Sequence, residues 1–198
     1  MSKLALFASG SGTNAENIIR YARSNPQSDM QVVCIIYNRK DAYVRVRAEK
    51  LGIPAEYLPD SLWADSKRIL STLERYDVDV IILAGWLSRI PEYLINAYPE
   101  RIVNIHPALL PDHGGKGMYS MRVHEAVKAA GDSETGITIH VIDTEYDRGR
   151  TIFRAKVGVL PEDSPETIAA KVHELEYKYY PSVIEDWLTT LPSNPSHK

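Results

Sequence analysis

The sequence has a single cysteine, Cys34, so no disulfide can form within the chain, and none of its apolar runs approaches the ~20 residues that a helix needs to cross a bilayer. It has no excess of either charge: 23 Lys and Arg against 26 Asp and Glu leave a formal −3, which offers no broad basic surface to nucleic acid. Metal-binding spacing is missing too. Neither "HEAV" at His124 nor "HELEY" at His173 has the second histidine of a zinc-binding H-E-x-x-H, so no metal is expected. There is no G-x-S-x-G elbow, and "GGKGM" around Lys116 lacks both the spacing of a phosphate-binding P-loop and the hydroxyl residue after its lysine. The opening "MSKLALFASGSGTN" carries too short an apolar run for a signal-peptide core, and a cytoplasmic protein is expected. With neither internal repeats nor a linker, residues 1–190 read as one domain, followed by a disordered tail over 191–198, "LPSNPSHK".

What is present is an alternation. Apolar runs at 3–8, 30–37, 54–58, 78–86 and 101–105 read as strands, the first, second and fourth almost continuously apolar, as parallel strands covered on both faces are. Helical patterns at 14–24, 41–51, 61–76 and 91–98 separate them, and the charged residues over 41–50 read as a solvated helix face. The expected class is α/β: a Rossmann-like, mostly parallel sheet with helices on both faces. After residue 135 the texture changes to two alternating strands joined by the polar "TEYDRGR", an antiparallel hairpin. A long helix follows from Ser164, with Ile168, Val172, Leu175 and Tyr179 on one stripe. Pro181 is expected to kink or divide it, because proline supplies no amide hydrogen and its ring clashes with the preceding turn.

Two segments could carry chemistry. In "ASGSGTNAENII" the glycines Gly10 and Gly12 turn the chain from strand to helix, and the helix start offers backbone N–H groups to a phosphate. The same residues with Ala15 fit a G-x-G-x-x-A dinucleotide fingerprint. The second strand ends in Tyr37-Asn38-Arg39 without the acidic residue that holds an NAD ribose, which leaves an NADP-dependent oxidoreductase as an alternative through Arg39. A plain turn capped by Ser11, Thr13 or Asn14 is the bland account. In "VNIHPALLPDHGGKG", strand alternation sends Asn104 and His106 to the same side, and prolines then stiffen the exit. Against this stands a histidine that merely packs. Asp147 in the late turn bears on the chemistry only if the hairpin folds back beside His106, and His140 either lines that site or packs in the sheet.

Four motifs in this order and spacing, "SGSGTN", "LAG", "NIHPALLP" and "IHVIDTEYD", resemble the phosphoribosylglycinamide formyltransferases, folate-dependent enzymes of purine synthesis, over roughly residues 3–185. The resemblance implies formyl transfer from 10-formyltetrahydrofolate as co-substrate to the amine of glycinamide ribonucleotide. It implies Asn104, His106 and Asp147 as the catalytic trio, and Gly12, Thr13 and Asn14 as the phosphate loop. Glu176 would contact the glycinamide substrate, and Leu87, Ser88, Arg89 and Ile90, with Asn104, the folate. Asn104 and a protonated His106 would then stabilise an oxyanion, with Asp147 raising the imidazole's pKa. The partners implied are small molecules, with neither nucleic acid nor membrane, and a monomer or homodimer. A deformylase or a sugar formyltransferase shares the chemistry and remains open.

Overall fold

The computed structural model describes residues 1–192; most of the expected tail, from residue 193 on, lies outside them. The chain forms two compact units. One takes Met1–Ile102 and the chain from Pro181; the other takes Val103–Tyr180.

In the first unit, strands β1 (Ser2–Ala8), β2 (Met30–Tyr37), β3 (Ala55–Tyr57) and β4 (Val80–Leu83) lie in the order β3-β2-β1-β4, and every pairing is parallel. Helices α1 (Thr13–Ser24), α2 (Val44–Leu51), α3 (Ser66–Arg75) and α4 (Glu92–Ala97) alternate with them. Residues of a strand point alternately to its two faces, so the unbroken burial of Val80–Leu83 and of Leu4–Ala8 means that both faces of β4 and β1 are covered. The helical pattern over 61–76 resolves into two pieces, a 3-10 turn at Asp60–Leu62 and then α3. The break has a local cause: Asp65 leaves helical geometry, and its carboxylate accepts the Arg68 backbone N–H at 3.1 Å, capping α3.

In the second unit, β5 (Ile102–His106), β6 (Glu134–Val141) and β7 (Thr151–Gly158) run antiparallel in sequence order, as expected of the hairpin. Register places Asn104 opposite His140 and His106 opposite Thr138. A bulge beside His140 leaves Ile152 of β7 without an opposite residue. Helix α5 (Met121–Ala130) is not among the helices expected from the sequence; Val123, His124 and Val127 are its buried stripe and Gly131 its left-handed C-cap.

Helix α6 runs without division from Pro165 to Leu188. Proline removes one N–H and strains one turn, at a cost of ~3 kcal/mol. Here it sits in a well-buried stretch: Tyr180, Val183, Ile184 and Trp187 are all buried, and each large apolar side chain contributes ~1.5–3 kcal/mol. Packing therefore outweighs the lost hydrogen bond, and the expected division does not occur.

Candidate functional site

The Val103–Tyr180 unit gathers four polar side chains, and each is delivered by a strand end or a turn. Asn104 and His106 leave β5 two residues apart. Asp147 arrives from the turn between β6 and β7, in the left-handed conformation (φ 55°) that aspartate tolerates better than most residues. That turn is pulled tight: a Cβ on Gly149 would sit 1.8 Å from the Val141 carbonyl oxygen, so only glycine fits. Asp147 Oδ2 lies 3.7 Å from His106 Nδ1, and its Oδ1 lies 3.7 Å from His140 Nε2. The Gly115 N–H donates to Oδ2 at 2.8 Å. The hairpin has thus folded back beside His106.

Hydrogen-bond logic fixes the protons. His106 Nε2 is 2.8 Å from the carbonyl oxygen of His113, which can only accept, so Nε2 carries hydrogen and Nδ1 is the nitrogen turned to Asp147. His140 Nδ1 lies 3.2 Å from the Val141 carbonyl and donates to it. In a neutral ring Nε2 then accepts, and Asn104 Nδ2 donates to it at 3.2 Å. His140 is thereby both buried and joined to the site, orienting the Asn104 amide and leaving its second N–H to a ligand.

Both imidazoles are held below the ordinary histidine pKa, because burial penalises the cation more than Asp147 favours it. This corrects the expectation for His106. Asp147 does pull upward, but the side chain is only 4% exposed and desolvation wins. Glu176 on α6 accepts from His173 Nδ1 at 3.0 Å and raises that imidazole's pKa. Its charge also reaches His106 and His124, favouring their protonated forms.

The other expected residues lie in the first unit. Gly12, the N-cap of α1, has φ 74°, and a Cβ there would stand 2.4 Å from Val44 Cγ2. Thr13 and Asn14 open the helix, and the N-cap, Gly12, has no side chain to engage the first N–H groups, which suits them to an anion. Leu87–Ile90 follows β4. The Leu87 N–H donates to Ser9 Oγ at 3.0 Å, and Ser88 Oγ donates to Asp60 Oδ1 at 2.8 Å while Asn38 Nδ2 donates to Ser88. Ile90 is buried and Arg89 exposed. No group of three or more His, Cys, Asp or Glu among the described residues is arranged to hold a metal ion, and no described helix is long and apolar enough to cross a membrane.

The sequence model of the formyl transferase family matches residues 2–184. The chain belongs to that family. It is 40% identical over 187 residues to a chloroplastic phosphoribosylglycinamide formyltransferase of Arabidopsis thaliana; the alignment covers 92% of this chain but only 64% of the relative's length, so the chain spans less than two thirds of that plant protein. Against the phosphoribosylglycinamide formyltransferase of Haemophilus influenzae it is 35% identical, covering 96% of this chain and 88% of the other. A crystal structure of glycinamide ribonucleotide transformylase 1 from Geobacillus kaustophilus superposes with a TM-score of 0.87 at 35% identity, covering 95% and 99% of the two chains. The α/β class read from the sequence is the fold of this formyl transferase, and family membership displaces the nicotinamide reading of Gly10, Gly12, Ala15 and Arg39.

Three features of this formyl transferase were not read from its sequence. Arg47 is no part of a solvated face: its Nε donates to the Ser11 carbonyl at 2.8 Å and its Nη1 pairs with Glu16, tying α2 to the glycine loop. Val44 walls the same loop. The segment His113–Gly115 grips both His106 and Asp147 by backbone groups. Backbone donors and acceptors are identical at every non-proline residue, and so no side-chain pattern announces them.

Proposed function

We propose that this formyl transferase moves the formyl group of 10-formyltetrahydrofolate onto the primary amine of glycinamide ribonucleotide, within one formyltransferase domain over residues 1–190. The observation that carries the reading is the Asp147 carboxylate 3.7 Å from both His106 and His140, with Asn104 bonded to the latter. The names of the relatives supply the acceptor, and the family resemblance supplies the folate donor.

The amine nitrogen attacks the formyl carbon, and the carbonyl oxygen takes up negative charge. Asn104, its amide oriented by His140, donates its second N–H to that oxygen, an interaction stronger in the transition state than before it. His106 enters neutral because it is buried, and its Nδ1 accepts the proton the amine sheds. The nearby Asp147 stabilises the imidazolium as it forms. That proton then leaves on the folate nitrogen as the carbon–nitrogen bond breaks, giving tetrahydrofolate and the N-formyl product. Gly12, Thr13 and Asn14 receive the nucleotide phosphate, Glu176 the glycinamide portion, and Leu87–Ile90 with Asn104 the folate. Such an enzyme works in the cytoplasm on two small molecules, as monomer or homodimer, without nucleic acid or membrane.

The test follows tetrahydrofolate release with and without glycinamide ribonucleotide. Release that depends on the nucleotide is expected. Release without it would make the protein a deformylase, and no release in either case would overturn formyl transfer.

A further inference from the structure

Two backbone groups, two residues apart, hold the reacting couple: the His113 carbonyl accepts from His106 Nε2 at 2.8 Å, and the Gly115 N–H donates to Asp147 Oδ2 at 2.8 Å. The segment that carries them is irregular, and His113 itself has φ 52°, a left-handed conformation uncommon outside glycine. Its side chain makes a contact of its own. His113 Nε2 lies 2.6 Å from Asp132 Oδ2, and because a carboxylate only accepts, the ring donates. Asp132 follows the Gly131 cap of α5, a helix fixed by its buried Val123, His124 and Val127.

We infer that His113 and Asp132 are positioning residues: their hydrogen bond anchors the segment whose carbonyl fixes the His106 tautomer, keeping hydrogen on Nε2 and leaving Nδ1, beside Asp147, to exchange the proton. Without the anchor the carbonyl drifts, and the ring is free to put its hydrogen on either nitrogen. Proton exchange at the wrong nitrogen, or a misplaced ring, lowers the rate of the chemical step without altering how substrates are held. The effect on turnover rests on the formyl-transfer reading; the effect on the tautomer does not.

The experiment is nitrogen-15 NMR of histidine-labelled protein, which distinguishes a protonated from an unprotonated ring nitrogen, run beside the formyl-transfer assay. In the unaltered protein His106 shows hydrogen on Nε2 and a bare Nδ1. In Asp132→Ala and in His113→Ala the two tautomers average, kcat falls by about 10-fold and the KM of both substrates changes by less than about twofold. Asp132→Asn keeps an acceptor oxygen in place and restores most of both signals, which a role in stability alone would not reproduce. Asp132 is 39% exposed, so its variants fold; His113→Asn, which tolerates the left-handed backbone, is the second variant should His113→Ala fail to fold. An unchanged His106 tautomer in Asp132→Ala overturns the inference whatever the turnover. A changed tautomer in a protein that never transfers formyl groups upholds it and overturns the function instead.

Discussion

The glycine loop at Ser9–Asn14 and the imidazole group around Asp147 solve opposite problems. The loop offers no titratable side chain: its instruments are a left-handed glycine, a helix start and the contacts of Val44 and Arg47 that hold the turn. It is suited to a ligand whose charge is permanent. The imidazole group is built from side chains that gain and lose protons, and their surroundings decide when. There, burial and a carboxylate act on the same rings in opposite directions, and burial prevails. One region should therefore respond to substitution through binding and the other through the chemical step.

The largest expected effect tests that division directly. His106→Ala should reduce kcat by about 10²–10³-fold while circular dichroism and the unfolding profile remain those of a folded protein, since the side chain's partners are few and local. Asn104→Ala should fall in the same range, and the two together should cost less than the product of the single losses, because oxyanion stabilisation by Asn104 and proton removal by His106 serve one transition state. An intact turnover rate in either single variant would remove the imidazole group from the chemistry.

Gly12→Ala sharpens the other half. The added methyl meets Val44 at 2.4 Å and the backbone stays at φ 74°, so we expect a loss of about 1–3 kcal/mol of stability and a rise in KM for the phosphorylated substrate, with kcat nearly unchanged. Val44→Ala in the same chain should recover part of the stability by removing the contact while leaving the backbone strain. A fall in kcat with KM unchanged would blur the distinction between the regions.

How much of this was legible follows the same division. Leu4–Ala8, Met30–Tyr37 and the run holding β4 announced themselves because a strand covered on both faces is apolar nearly throughout, and α1 and α6 because their stripes repeat at helical spacing. Asn104 and His106 stood out as polar residues at an apolar strand end. Asp147 was named only on condition that the hairpin fold back, and through the family resemblance, because its approach to His106 depends on the tertiary fold and on the close approach of Gly149 to Val141. Helix α5 hid among glycines and polar residues, with a stripe of only Val123, His124 and Val127. Pro181 does not divide α6 because the tertiary burial around it, which local sequence does not show, outweighs one lost hydrogen bond. The His106 pKa is lowered and not raised for a like reason, since a sequence names the neighbouring carboxylate but not the depth of burial.

Acidification separates the regions by a smaller effect. Folded His106, His124 and His140 all have pKa values below the unfolded 6.5, so the unfolded chain binds more protons in the window below that value. Stability then falls as pH drops through 6.5 and levels off beneath the folded values; His173, raised by Glu176, contributes a weaker trend of opposite sign from a half-exposed position. The melting temperature should decline from pH 7.5 to pH 5.5, and His124→Asn should make that decline shallower. The activity profile should share its origin: a neutral His106 is the competent form, so kcat should be flat above pH 6.5 and fall below it. A limb lying above 6.5 would show Asp147 outweighing burial after all.

The smallest effect returns to the loop. Arg47 bonds the Ser11 carbonyl and pairs with Glu16, which Arg20 also meets, and its side chain is 26% exposed. Both arginines lower the Glu16 pKa, chiefly through their hydrogen bonds, Arg20 first. Partial exposure screens the ion pair, so Arg47→Ala should cost no more than about 1 kcal/mol of stability. The loop depends on geometry, however, and the lost carbonyl contact should loosen Ser11 and Gly12. We expect a rise in KM for the phosphorylated substrate of a few-fold with kcat unchanged. Arg47→Lys keeps the charge but not the planar fork that spans Ser11 and Glu16 together, so it should rescue KM only in part. Full rescue by lysine would mean that the loop is tuned by charge and not held by shape, and the contrast with the imidazole group would then be one of degree.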